Sequence, residues 1–120
     1  MIDKFKSIEI LKKHSNYENE NGYIYHLKKD KGFNFDYFCD IMDSVIELSK
    51  DKTILNYYKD IYAIIFWSRT WLDSGLIKDD REKITIQTGI IENALYYLLN
   101  DNAEEAFFAY YEFLDGRYYV

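Results

Sequence analysis

The sequence predicts an all-α fold, a single-domain bundle of about five helices spanning residues 1–120. Three observations predict it. Apolar residues recur at helical spacing through most of the chain. Helix-opening residues (Asn34, Thr53, Asp79, Asn102) and glycine stops (Gly75, Gly116) punctuate it. The length suits one buried core, and with no proline in 120 residues no helix interior is broken.

In chain order, residues 3–15 read as a first helix with Phe5, Ile8 and Leu11 on one face. The Asn- and Gly-rich residues 16–22 form a loop. Residues 23–27, "YIYHL", combine aromatic and β-branched side chains, which fits a short strand or an irregular packed segment. A second helix runs from near Asn34 to near Asp51, with Phe38, Ile41, Met42 and Val45 toward the core. Residues 53–75 form a third helix, capped by Thr53 and stopped by Gly75. It is apolar most of the way round, which places it in the middle of the bundle with Trp67 in the core. The fourth helix opens at a capping box, Asp79 with Glu82, or at Asp80, and carries Ile84, Thr88, Ile91, Leu95 and Leu98 as its core stripe. Gly89 lies inside it, and close approach of a neighbouring helix is one physical reason for a glycine there. Asn102 and Glu105 form a second capping box opening a fifth helix, with Phe107, Tyr110, Tyr111 and Leu114, before the short tail "RYYV".

Chemistry is scarce. His14 and His26 have no His or Cys at metal-ligand spacing. A comparison of residues 17–28 with a calcium loop fails at Tyr17 and Lys28, where Asp and Glu are required. Cys39, the single cysteine, stands beside Asp40, which raises a thiol pKa instead of activating it. No glycine-rich phosphate loop and no nucleophile–base arrangement is present. The expectation is a protein that is not an enzyme and carries no cofactor or metal. No apolar run approaches the ~20 residues of a membrane span, and the N-terminus alternates charge with apolar residues, unlike a signal peptide. A cytoplasmic location with no membrane partner is therefore expected.

Charge is the informative quantity. The net charge of −6 argues against direct nucleic-acid binding and suits a basic protein partner. It is unevenly placed: residues 34–52 carry −3 and residues 101–120 carry −4, while residues 1–33 carry +2. Five acids, Asp36, Asp40, Asp43, Glu47 and Asp51, follow at spacings of 4, 3, 4 and 4, within about 80° on a helical wheel. Like charges at i, i+4 cost a helix a few tenths of a kcal/mol per pair, and acids near its C-terminus oppose the helix dipole. A sequence shaped for stability alone would mix the signs. The plain alternative is a solvated helix face. The functional reading makes these five residues the partner-binding surface, fitted to a basic cleft such as a nuclease's substrate channel.

Tyrosine occurs 13 times, including four Tyr-Tyr pairs, part of which an AT-rich coding bias explains. One ring of each helical pair can enter the core while the other stands at its rim, where tyrosine makes a good contact residue. Arg69, between Trp67 and Trp71, reads either as an ion pair between helices or as an interface anchor.

With "FWSRTWLDSG" and "ENALYYLLNDNAEEAFFAYYEF" setting aromatics beside acids, the chain resembles the immunity proteins of bacterial polymorphic-toxin and contact-dependent growth inhibition systems. The resemblance lies in overall character and carries no residue-level motif. It implies binding to one cognate toxin with a basic surface, a nuclease in the first instance, and block of its active site. Two other classes stand beside it: a phage-encoded anti-CRISPR or anti-restriction inhibitor acting as an acidic mimic, and a helical adaptor that inhibits nothing.

Overall fold

The computed structural model describes residues 3–116, and all regular structure in it is helical. Six α-helices follow one another: α1 (Lys4–Ser15), α2 (Tyr23–Lys28), α3 (Phe35–Leu48), α4 (Tyr58–Asp73), α5 (Arg81–Leu99) and α6 (Phe108–Leu114), with a 3-10 helix, Lys52–Tyr57, leading into α4. α1 packs most extensively on α3 and α4 on α5, while α1 and α2 both lean on α4. The core therefore runs between two helix pairs, filled by residues such as Leu11, Ile41, Met42, Ile61, Ile64, Ile84 and Ile90. No helix among the described residues is long and apolar enough to cross a membrane.

α1 begins at Asp3, whose carboxylate accepts from the Lys6 amide at 2.8 Å. Its buried positions are Ser7, Leu11 and His14; of the expected Phe5–Ile8–Leu11 face, Leu11 is buried and Ile8 packs partly buried against the core, but Phe5 is 80% exposed. The i, i+4, i+7 spacing of Ser7, Leu11 and His14 is itself one helical face. Hydropathy concealed it because two of its three members are polar.

"YIYHL" is helix, not strand: α2 buries Tyr23, Ile24 and Leu27, the i, i+1, i+4 set of a helical face. Gly22 leads into it against the end of α1, where a Cβ would stand 2.4 Å from the Lys13 carbonyl oxygen. Only glycine admits that approach.

α3 starts where expected, with the Asn34 side chain accepting from the Tyr37 amide at 2.9 Å. It ends at Leu48, three residues short of Asp51. Asp51 instead caps the 3-10 helix, accepting from the Thr53 amide at 2.7 Å. Thr53 is thus a capped residue and not the cap. α4 buries Ile61, Ile64, Ile65, Ser68, Trp71 and Leu72, yet leaves Tyr62 and Phe66 exposed, so it is not enclosed on all sides. Trp67 is half-buried at the core's rim, stacked on Trp71 at 5.1 Å. Arg69 makes a two-pronged ion pair with Glu92 of α5, at 2.5 and 2.7 Å. Both side chains are nearly half exposed, so the pair straps the two helices from outside. After α4, Gly75 takes φ 80°, the left-handed conformation that closes a helix.

The expected core stripe of α5 is buried throughout, from Ile84 to Leu98. Its start differs from the expected box. Asp80 stands at the cap with φ 54° and makes no capping bond; its carboxylate crosses to the Phe33 amide at 2.9 Å. Asp30, also at positive φ, accepts from the amides of Lys78 and Asp79. The two aspartates stitch the loop after α2 to the loop before α5. Outside its own helix, no described residue lies within 4 Å of a Cβ added at Gly89, so no described helix approaches it. Gly89→Ala should accordingly stabilise the protein by about 0.5–1 kcal/mol, read as a higher urea midpoint. A loss of stability would show a contact at that position.

Asn102 accepts from the Glu105 amide at 3.2 Å, but turns follow, and α6 itself starts only at Phe108. Phe107 and Tyr110 are buried; Tyr111 and Leu114 are about half exposed. The tail "RYYV" lies outside the described residues.

Candidate functional site

Four of the five predicted site residues lie on α3, and the fifth does not. Asp36 and Asp43 are exposed, while Asp40 and Glu47 are half-buried. Asp51, off the helix, pairs with Lys4 at 2.6 Å; that bond and those from Thr53 hold its carboxyl well below the usual range. The stripe is also less bare than its spacing suggests. Glu47 is met by Lys50 at 3.2 Å, on the following turn. Burial raises the Asp40 pKa, Lys13 works against that, and Asp36 and Asp43 add to it. Of the five acids read as a partner-binding surface, Asp40 and Glu47 are thus only partly open to a partner. Among the described residues no three His, Cys, Asp or Glu side chains converge as metal ligands.

Against this helix lies α6. Phe38, fully buried, holds it edge-on to two rings, Tyr110 at 5.7 Å and Phe113 at 5.4 Å. The Tyr110 hydroxyl donates to Asp43 at 3.1 Å. Burial raises the Tyr110 pKa, with Cys39 and Asp43 adding, so it remains a neutral donor. Cys39 is also raised, by burial first and then by Asp43, Asp36 and Asp40, against a hydrogen bond with Tyr110. Burial and the neighbouring carboxylates thus both disfavour its thiolate form.

A shallow groove of about 490 Å³ opens between the two helices. Asp43 and Glu47 line one wall, Tyr110, Tyr111 and Leu114 the other, with Ile46 and Lys50 completing it. The Tyr110–Tyr111 pair divides as its 100° offset requires: Tyr110 enters the core and Tyr111 stands at the rim, 48% exposed. The groove thus joins the two acidic stretches of the chain, residues 34–52 and 101–120, which together hold more negative charge than the whole molecule's −6. Glu112 and Asp115, both exposed, extend the acid along α6.

One residue missed in sequence lies behind this wall. His14 of α1 is fully buried, and its Nδ1 accepts from the Tyr23 amide at 3.0 Å. Its Nε2 therefore carries the proton and points toward Asp40, 3.7 Å away, beyond hydrogen-bond reach. Burial first, then Lys13 and His26, push its pKa down to about 3, so the ring is neutral. The only sequence signal for it was its place seven residues after Ser7 and three after Leu11.

Comparison of the chain with protein families, with curated proteins and with solved structures finds no match.

Proposed function

We propose that the chain is an immunity-type inhibitor that binds a cognate toxin, a nuclease with a basic substrate channel, through the α3–α6 groove. One observation carries this reading: the two acidic segments, far apart in sequence, meet along a concave surface rimmed by an exposed tyrosine. A groove with carboxylates on one wall and an aromatic ring on the other takes a lysine or arginine side chain. The carboxylates meet its charge and the ring covers its stem and planar head. The acid along both helices steers such a partner in and repels nucleic acid. Occupying a basic channel blocks a nuclease without any chemistry by the inhibitor, which suits a chain expected to be no enzyme.

The test is affinity capture from lysate of the source organism with wild type and with Asp43→Lys/Tyr111→Ala, both positions being exposed. Circular dichroism controls for the lost Tyr110–Asp43 bond, a cost of about 1 kcal/mol. The expected result is one basic protein held by wild type and released by the variant, whose nuclease activity the wild type suppresses. Equal capture by both, or capture of a protein that the chain does not inhibit, refutes the reading.

A further inference from the structure

Away from the acidic groove, α4 and α5 leave large apolar side chains exposed. On α4 the exposed residues Lys59, Tyr62, Phe66 and Arg69 fall on one helical stripe. On α5, Gly89, Glu92, Tyr96 and Leu99 fall on another. The Arg69–Glu92 pair joins the two stripes at one end. A shallow depression shared by Tyr62, Leu95 and Leu99 joins them at the other. The result is one continuous two-helix face. Tyr62, Phe66, Tyr96 and Leu99 keep 58%, 45%, 61% and 58% of their surface there. That is roughly 500 Å² of large apolar side chain, at the upper end of what a monomer normally leaves in water.

We propose that this α4–α5 face is where a second copy of the chain docks, making a two-fold dimer in which two helices from each copy form a four-helix layer. The proposal is independent of the toxin-binding reading and rests on two observations. The first is charge. From Ile84 to Asn100 the sequence carries a single charge, Glu92, and Arg69 neutralises it within the same chain. Lys59 and Asp73, exposed toward the two ends of the α4 stripe, also offset one another, so in a molecule of net −6 this face carries no net charge for a basic partner to read, and a second copy meets it without bringing net acid against acid. The α3–α6 face has the opposite character and excludes its own kind. The second observation is area. The four large side chains with their rim approach the ~800 Å² per partner of a stable interface. A two-fold axis makes one such patch sufficient, because it is used by both copies.

The experiment is the solution mass of the full chain by light scattering or sedimentation at roughly 100 µM, where a micromolar dimer is saturated. Wild type should show twice the mass of the 14.5 kDa chain. Tyr62→Glu and, separately, Leu99→Glu should show the mass of one chain with unchanged circular dichroism. Asp43→Lys, on the other face, should remain dimeric. Wild type at single-chain mass overturns the proposal, as do both charge variants remaining dimeric. A single-chain wild type that loses its toxin on Tyr62→Glu would give this face to the toxin instead, and also overturns the dimer.

Discussion

Phe38→Ala should cost about 3–5 kcal/mol of stability, the range for truncating a fully buried aromatic side chain. The loss is expected to be structural as well as energetic. Phe38 is the residue on which both Tyr110 and Phe113 rest edge-on. α6 has seven residues and no side-chain cap, too short to persist as a helix without its packing. Emptying the Phe38 site should therefore release α6 and dissolve the groove, even under conditions where α1, α3, α4 and α5 stay folded. Urea unfolding followed by circular dichroism gives the energy, and amide exchange in residues 108–114 reports the release. Phe38→Leu should retain α6 at a smaller cost, because the site stays filled. A loss below ~1 kcal/mol for Phe38→Ala would mean that α6 is held by something else.

Acid should unfold this protein through His14. The ring is neutral and buried in the fold, with a pKa of about 3 against 6.5 in the unfolded chain. The unfolded state thus binds the proton first. The stabilisation is complete above pH 6.5 and drains as pH falls from 6.5 toward 3. Between pH 7 and pH 5 this one group should remove about 2 kcal/mol, before the carboxylates titrate. His26, lowered by burial and by Lys31, adds in the same direction. Asp40, whose folded pKa is raised, acts oppositely, gaining stability for the fold as pH drops into the carboxylate range. Glu92, lowered by Arg69, loses stability there. His14→Leu should flatten most of the pH 7–5 slope while lowering stability overall, since the Tyr23 amide loses its acceptor. Urea midpoints at pH 7, 6 and 5 decide it. A wild type whose midpoint does not move, or a His14→Leu variant with the full slope, would show that the imidazole is protonated in the fold.

The parts of the structure legible in the sequence are those where one strong period stands alone. α3 and α5 are recognisable because Phe38–Met42–Val45 and Ile84–Thr88–Ile91–Leu95–Leu98 bury as written. The misread parts share a cause: local preference was overridden by a partner remote in sequence. Tyr23 and Ile24 favour strands by propensity, yet burial against α1 and α4 makes them helical. Hydropathy points Phe5 inward, whereas polar Ser7 and His14 join Leu11 on the inner face. Asp51 has the spacing of the α3 stripe, yet its carboxylate caps the next element and ends the helix's claim on it. Four of the five acids lie on α3 as their spacing predicts, but only Asp43 and Glu47 line the groove; the division of the Tyr110–Tyr111 pair was legible too. The meeting of the two acidic segments was not, because it depends on Phe38 reaching Tyr110 across 72 residues of chain. The exposed α4–α5 face was hidden for a similar reason. A helix apolar nearly all round reads as buried all round, and only the packing shows that Tyr62 and Phe66 stand exposed among the described residues.

The most direct test of the central claim, that the α3–α6 groove receives a basic side chain of a protein toxin, is the affinity of the captured toxin for wild type and for Asp43→Lys/Tyr111→Ala. Titration calorimetry should give a loss of at least ~100-fold, about 2.7 kcal/mol, the size expected when a charge partner and an aromatic cover are both removed. The Tyr62→Glu variant, altered only on the α4–α5 face, should bind as wild type does. Unchanged affinity for Asp43→Lys/Tyr111→Ala would contradict the claim and leave the acids of α3 as a solvated helix face.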